Sequence, residues 1–259
     1  YGITTTASYI TSLPLIIEVM EGVAVSPASL TGVSWSTYIG GSIEDKIFKS
    51  KSDNSNNLFI GGSTSSPNFP VNAGAIVSTV FGTPQSASAR TSGFIGKFNP
   101  NGVLQWVTYV GGSKEDQIND FDFSGGDIYA VGYTKSANLP VFQKVGATTN
   151  TSYGGGTFND GFIFQLSANG QTNNWLTYFG GNADDDFNAC KFDGSGNFFV
   201  IGRSNSPNLS PIYAAGSYTQ NIIIAPSMGQ PTFDGIIAKF DNTSTLNWFT
   251  FYGTNGDRK

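Results

Sequence analysis

Short apolar runs separated by Gly-, Asn-, Asp- and Ser-rich breaks recur from Trp35 onward. The strongest are Leu58-Phe59-Ile60-Gly61-Gly62, Ile128-Tyr129-Ala130-Val131-Gly132 and Phe198-Phe199-Val200-Ile201-Gly202. Their β-branched and aromatic content, their length and the turn residues around them predict strands rather than helices. A strand buried on one face alternates apolar and polar positions. Phe198–Ile201 does not alternate, which predicts cover on both of its faces. Gly62, Gly132 and Gly202 close the three runs at a spacing of 70 residues, so one register is expected through all three.

Each run is the second of four predicted strands. The first strands are Lys46–Ser52, Gln117–Phe123 and Phe187–Phe192, followed by a turn clearest in Asp193-Gly194-Ser195-Gly196-Asn197. The third strands are Gly93–Phe98, Gly161–Leu166 and Gly235–Phe240. The fourth carry Trp106-Val107-Thr108-Tyr109-Val110-Gly111-Gly112 and Trp175-Leu176-Thr177-Tyr178-Phe179-Gly180-Gly181. A further copy starts at Trp35 and a degraded one at Trp248. Tryptophans at 35, 106, 175 and 248, spaced 71, 69 and 73 residues apart, mark a repeat protein. The long loops between second and third strands, at 65–90, 135–159 and 205–233, are expected to be functional or to lie as excursions on one face.

Four short antiparallel strands in a unit of about 70 residues predict an all-β fold, a β-propeller of four-stranded blades. Three complete blades are expected at about 42–111, 113–180 and 182–253. An orphan fourth strand at 34–39 would join the last blade and clasp a ring. Residues 1–33 are unlike the repeats and read as a lead-in or the tail of a preceding domain. Three blades do not close a ring, and both end blades would expose apolar faces. The missing blades are expected beyond Lys259 or from another chain. Without an initiator Met, and ending partway into a repeat, the chain reads as a piece of a longer protein.

Three strings stand out. They are Trp-x-Thr-Tyr-h-Gly-Gly-x-x-x-Asp (h apolar), the apolar strand ending Gly-x-[Thr/Ser], and the Ser-x-Asn-h-Pro segment seen at Ser66-Pro67-Asn68-Phe69-Pro70. With the Gly-rich approach Tyr153-Gly154-Gly155-Gly156-Thr157-Phe158-Asn159-Asp160 to the third strand, they resemble the bacterial SBBP-type β-propeller repeat over 34–259. The last copy, Gly253-Thr254-Asn255-Gly256-Asp257, departs from the pattern by one residue. The resemblance implies a ring of about seven blades in a large secreted or surface-displayed protein. Such proteins are frequent in Bacteroidota with type IX secretion, where the propellers sit beside adhesin-like domains.

Charge and rare residues narrow the chemistry. A net charge of −5, a pI near 4.6 and no basic patch exclude a nucleic-acid partner. No run of 18 apolar residues exists, so no transmembrane segment is expected. Histidine is absent, which removes Ser-His-Asp and Cys-His chemistry and His-ligated metals. The single cysteine, Cys190, cannot form an internal disulfide and reads as a buried, inert thiol.

The corner acids Asp45, Asp116 and Asp185 recur once per unit. They read as turn-fixing acceptors of backbone N–H groups, or as calcium ligands. The densest oxygen clusters are Asp184-Asp185-Asp186 and the turn at Asp193, which makes these four the calcium candidates; no other cofactor is expected. Trp35, Trp106, Trp175 and Trp248 read as inter-blade packing residues. Phe81, Tyr153, Phe158, Tyr213 and Tyr218 lie in the long loops outside the repeat pattern and are the binding candidates. The leading functional expectation is a non-enzymatic, secreted scaffold or binding module. Its partners would be other domains of the same longer chain, surface or secretion-assembly proteins, or a glycan. The alternative is a carbohydrate-active enzyme using two off-pattern acids among Asp120, Asp122, Asp127 and Asp160, which otherwise read as solvated turn or strand-edge residues.

Overall fold

The structure is a computed structural model that describes residues 35–69, 76–78, 90–213 and 233–253. The lead-in at 1–33, Phe81, Tyr218 and the corner after Gly253 lie outside the described residues. The described residues form three sheets, antiparallel except for one short added strand, and no helix. In the first sheet β1 (Asp45–Ser52) and β2 (Leu58–Thr64) are followed by the short β3 (Ile76–Ser78), then β4 (Ser92–Phe98) and β5 (Leu104–Val110). The order is β1-β2-β4-β5, with β3 added parallel to the free edge of β5. The second sheet runs β6 (Asp116–Ser124), β7 (Asp127–Thr134), β8 (Asp160–Leu166), β9 (Asn173–Phe179). The third runs β10 (Asp185–Phe192), β11 (Phe198–Ser204), β12 (Asp234–Phe240), β13 (Leu246–Tyr252).

The expected strands are therefore present, each extended by one to three residues. The segment after Trp35 is a correction. Among the described residues 35–40 forms no strand, because no sheet edge pairs with its backbone. Its side chains work instead: Trp35 stacks on Phe98 at 5.9 Å, and Trp35 and Ile39 pack on the outer face of the first sheet.

The sheets stack face to face. Phe59, Ile95, Trp106 and Val110 of the first sheet meet Ile118, Phe121, Ile128, Phe162 and Phe164 of the second in one apolar layer. Tyr129, Val131, Ile163 and Trp175 on the second sheet's other face meet Phe187, Phe198, Val200, Ile236 and Phe240 of the third. The middle strand β7 is covered on both faces, with Ala130 and Val131 both at 0% exposure. Burial of this kind contributes on the order of 1.5–3 kcal/mol per large apolar side chain. The same cover expected for Phe198–Ile201 is not found: Ile201 is 47% exposed. A sheet flanked by two neighbours buries both faces; the third sheet has one neighbour among the described residues.

The first strands of the three sheets gather side by side, and polar groups stitch them together. Lys49 and Lys51 on β1 pair with Asp120 and Asp122 on β6, each at 2.9 Å. The same two carboxylates accept the Cys190 and Phe192 N–H groups of β10, each at 2.9 Å. Each first strand also carries a β-bulge, between Ile47 and Lys49, Ile118 and Asp120, and Phe187 and Ala189. Opposite the bulges stand Gly62, Gly132 and Gly202. A Cβ on Gly132 would sit 1.8 Å from the Gln117 carbonyl oxygen, so only glycine lets the bulged strand approach. This is the physical content of the 70-residue glycine spacing.

The long loops seal the fourth strands. Phe142 O accepts the Leu176 N–H at 3.0 Å and Asn150 O the Tyr178 N–H at 3.1 Å, while Ile212 and Phe249 exchange both backbone bonds. With β3 in the first sheet, each β5, β9 or β13 edge is covered by its own loop. Covered edges do not template pairing with other chains. Gly132→Ala is expected to destabilise the protein by about 3 kcal/mol or more in urea unfolding, because backbone must move. Gly194→Ala, where nothing lies within 4 Å of the added atom, is expected to change stability by less than about 0.5 kcal/mol.

Candidate functional site

Each unit opens with a polar corner built the same way. In the second, the Gly112 N–H donates to Asp116 Oδ2 at 2.7 Å, the Ser136 hydroxyl donates to the same oxygen at 3.0 Å, and the Thr134 hydroxyl donates to Oδ1. Ser136 Oγ in turn accepts the Lys114 N–H at 2.9 Å, and Asn138 Oδ1 the Ser113 N–H at 2.9 Å. Asp45 with Thr64, Ser66 and Asn68 repeats these bonds in the first corner. In the third, Asp185 Oδ2 accepts the Gly181 N–H and the Ser206 hydroxyl, both at 2.7 Å, and Asn208 holds the Asn182 N–H. The second glycine of each Gly-Gly pair is required by contact: a Cβ on Gly112 would stand 2.4 Å from Asn138 Oδ1.

Asp116 and Asp185 of the second and third corners are buried, and burial governs their ionisation. Desolvation lifts Asp116 to about 6, against the pull of Thr134, Gly112 and Ser136. Asp185 is raised by burial too, with the Ser204 hydroxyl nearby pulling the other way, although its Oδ1 has no hydrogen-bond partner of normal geometry. Asp160, at the start of β8, is pushed up to about 7 by burial, with the charge of Asp185 adding to the push.

The calcium candidates do not gather into one cluster. Asp184 Oδ1 accepts the Asn159 N–H at 3.0 Å and Asp186 pairs with Arg203 at 2.7 Å. Asp193 is occupied by the Ser195 and Asn197 N–H groups of its own turn. Among the described residues no group of three or more His, Cys, Asp or Glu side chains is placed to hold a metal ion. Of the loop aromatics, Tyr153 is half-buried, 6.0 Å from the Tyr178 ring, and its hydroxyl donates to the Phe158 carbonyl. Phe158 and Tyr213 are exposed, at 45% and 43%. A cavity of about 190 Å³ between the second and third sheets is walled by Phe179, Leu209, Leu246 and Phe249, with Thr148 and Thr177 hydroxyls beside them.

The off-pattern acids need correcting. Asp120, Asp122 and Asp160 are buried, not solvated. The first two lie between sheets, where lysines and backbone N–H groups match their charge; Asp160 lies under the Gly-rich loop, whose Gly154 N–H donates to its Oδ2 at 2.7 Å. Asp127 is only half-buried, and its Oδ2 accepts from Gln165 and Asn174. The tryptophans pack as unit joints: Trp35 lies on Gly102 and Trp106 on Gly170, each at the turn of the following sheet, and Trp175 is fully buried 5.6 Å from Phe240. The serines and asparagines of the corners were not singled out from sequence as corner partners. Their signal was present, since Ser66, Ser136 and Ser206 recur at 70 residues, as do Asn68, Asn138 and Asn208.

Comparison with known proteins finds no family model and no curated protein that matches this chain. The corner chemistry makes a pH prediction of its own. Asp116 binds its proton more tightly folded than unfolded, so its contribution is full below the unfolded value of 3.8 and is lost as pH rises through about 6. Relative to Asp116→Asn, which does not titrate, wild-type stability is expected to fall by on the order of 2–3 kcal/mol between pH 4 and 7 in urea unfolding. A difference that stays flat or grows with pH contradicts the assignment.

Proposed function

We propose that this chain is part of a β-propeller of the SBBP type and serves as a non-enzymatic, secreted scaffold or binding module at a bacterial cell surface. The observation that carries the reading is the stacking: three four-stranded meanders lie face to face with their first strands together and Trp35, Trp106 and Trp175 each docked on the sheet that follows. A ring continued in this manner presents a rigid platform, and propeller platforms commonly bind through loops. The exposed Phe158 and Tyr213 of the long loops are the contact residues of this reading, toward a protein domain of the same longer chain or a glycan. The matched charges around Asp120 and Asp122 support a structural rather than a hydrolytic role for those acids.

A glycan array read for both retention and released sugar tests the proposal. Retention without turnover is expected, weakened about tenfold or more by Tyr213→Ala or Phe158→Ala. Sugar release that disappears on Asp127→Asn or Asp160→Asn establishes the carbohydrate-active enzyme instead.

A further inference from the structure

Strand register sets one residue from the second, third and fourth strands of each sheet into a row across it. The row is Phe59, Lys97 and Trp106 in the first sheet, Tyr129, Gln165 and Trp175 in the second, and Phe199, Lys239 and Trp248 in the third. The outer two members are aromatic each time and the middle one is polar. In the first two sheets the aromatic members pack into the joint with the following sheet, close to the turns and away from the long loops. Lys97 Nζ lies 5.1 Å above the Phe59 ring. Among the described residues it has no carboxylate partner, whereas Lys49 and Lys51 each have one.

The two joints treat this row differently. In the second, Lys144 of the unit's own long loop reaches it, with Nζ 3.2 Å from Gln165 Oε1 and 3.2 Å from the Ser244 hydroxyl on a turn of the third sheet. The same loop donates the Thr148 N–H to Ser244 O at 3.0 Å, so the chain's own atoms bridge that joint. At the first joint two cavities of about 410 Å³ and about 440 Å³ flank Lys97, and Lys97 and Ala168 line both. Their walls come from strands and turns of the first two sheets. Volumes of this size hold small organic ligands. The first cavity is bordered by Phe123, Asp53 and Asn54. The second is bordered by Trp106 and by the amides of Asn57, Gln105, Asn169 and Gln171. Asn169 directs its Oδ1 to the Ser167 hydroxyl and the Gln171 N–H, at 2.6 and 3.1 Å, which leaves its amide N–H groups for a ligand.

We propose that this groove binds an acidic oligosaccharide, with the carboxylate of one uronic acid on Lys97. Lys97 is the one cation among the described lining residues, and one lysine matches one negative charge. Side-chain amides both donate and accept, which suits sugar hydroxyls, and the aromatic walls suit the apolar face of a sugar ring. The cavity with four amides has no acid in its lining, so the uronic acid sits there. The other cavity, which holds Asp53, takes the neighbouring sugar through its hydroxyls. A charge-assisted bond to Lys97 is stronger than the neutral bonds around it, so the carboxylate sets the preference. The site shares the glycan reading with the long loops but not their residues, and it stands or falls on Lys97 whatever Phe158 and Tyr213 do.

The test is isothermal titration of the full chain with tetragalacturonate, with its methyl ester as the uncharged control. Binding with a dissociation constant of about 1 mM or tighter is expected, weakened about tenfold or more by Lys97→Gln. Lys239→Gln, at the same row position of the third sheet but outside the groove, is expected to bind as the wild type does. No binding by the wild type, or binding that survives Lys97→Gln, overturns the proposal. Should Lys97→Gln not fold, the wild type decides: an ester bound about tenfold or more weakly than the acid supports the site, and equal binding of the two overturns it.

Discussion

A sheet that is apolar on both faces cannot stand alone in water, and this constraint governs the whole molecule. The second sheet carries one row of large side chains toward the first sheet and another toward the third. Among the described residues only the second sheet has both faces covered by sheets. The first has its outer face closed by Trp35, Ile39 and Phe69, and the third keeps Ile201 and Tyr252 exposed. The fold is therefore best understood as a series of joints rather than a series of sheets.

Those joints combine dispersion with matched charge. The tryptophan of one fourth strand lies flat on a turn glycine of the next unit, where any side chain would displace it. At the gathered first strands, Asp120 and Asp122 are buried, yet each has a lysine and a backbone N–H directed at it. Burying an acid so paired is tolerable; burying it alone is costly. Asp160 departs from this rule: among the described residues no cation is paired with it, and the Gly154 N–H donates to its Oδ2.

Much of this was legible in the sequence because repetition exposes equivalence. The strands, the turns, the invariant Gly62, Gly132 and Gly202 positions and the once-per-unit Asp45, Asp116 and Asp185 all follow from lining up copies. Periodicity does not say what faces what. That Gly132 stands against a bulge, or that Ser136 and Asn138 close over the Gly111-Gly112 corner, depends on chain crossings that no spacing encodes. The buried acids were misread for a related reason. Hydropathy assigns aspartate to solvent, whereas Asp120 and Asp122 are held inside by lysines 71 residues upstream. The copy at 34–39 reads as a fourth strand from its sequence, but a strand forms only where a ladder partner does, and no described edge lies beside its residues 35–39.

Acrylamide quenching of single-tryptophan variants tests the stacking most directly. With Trp175 or Trp248 retained and the other tryptophans changed to phenylalanine, the two report one covered joint and one half-buried position in otherwise equivalent places. The account predicts blue-shifted emission and several-fold weaker quenching for Trp175 than for Trp248. Equal quenching of the two would show that the second and third sheets do not pack face to face, and would contradict the account.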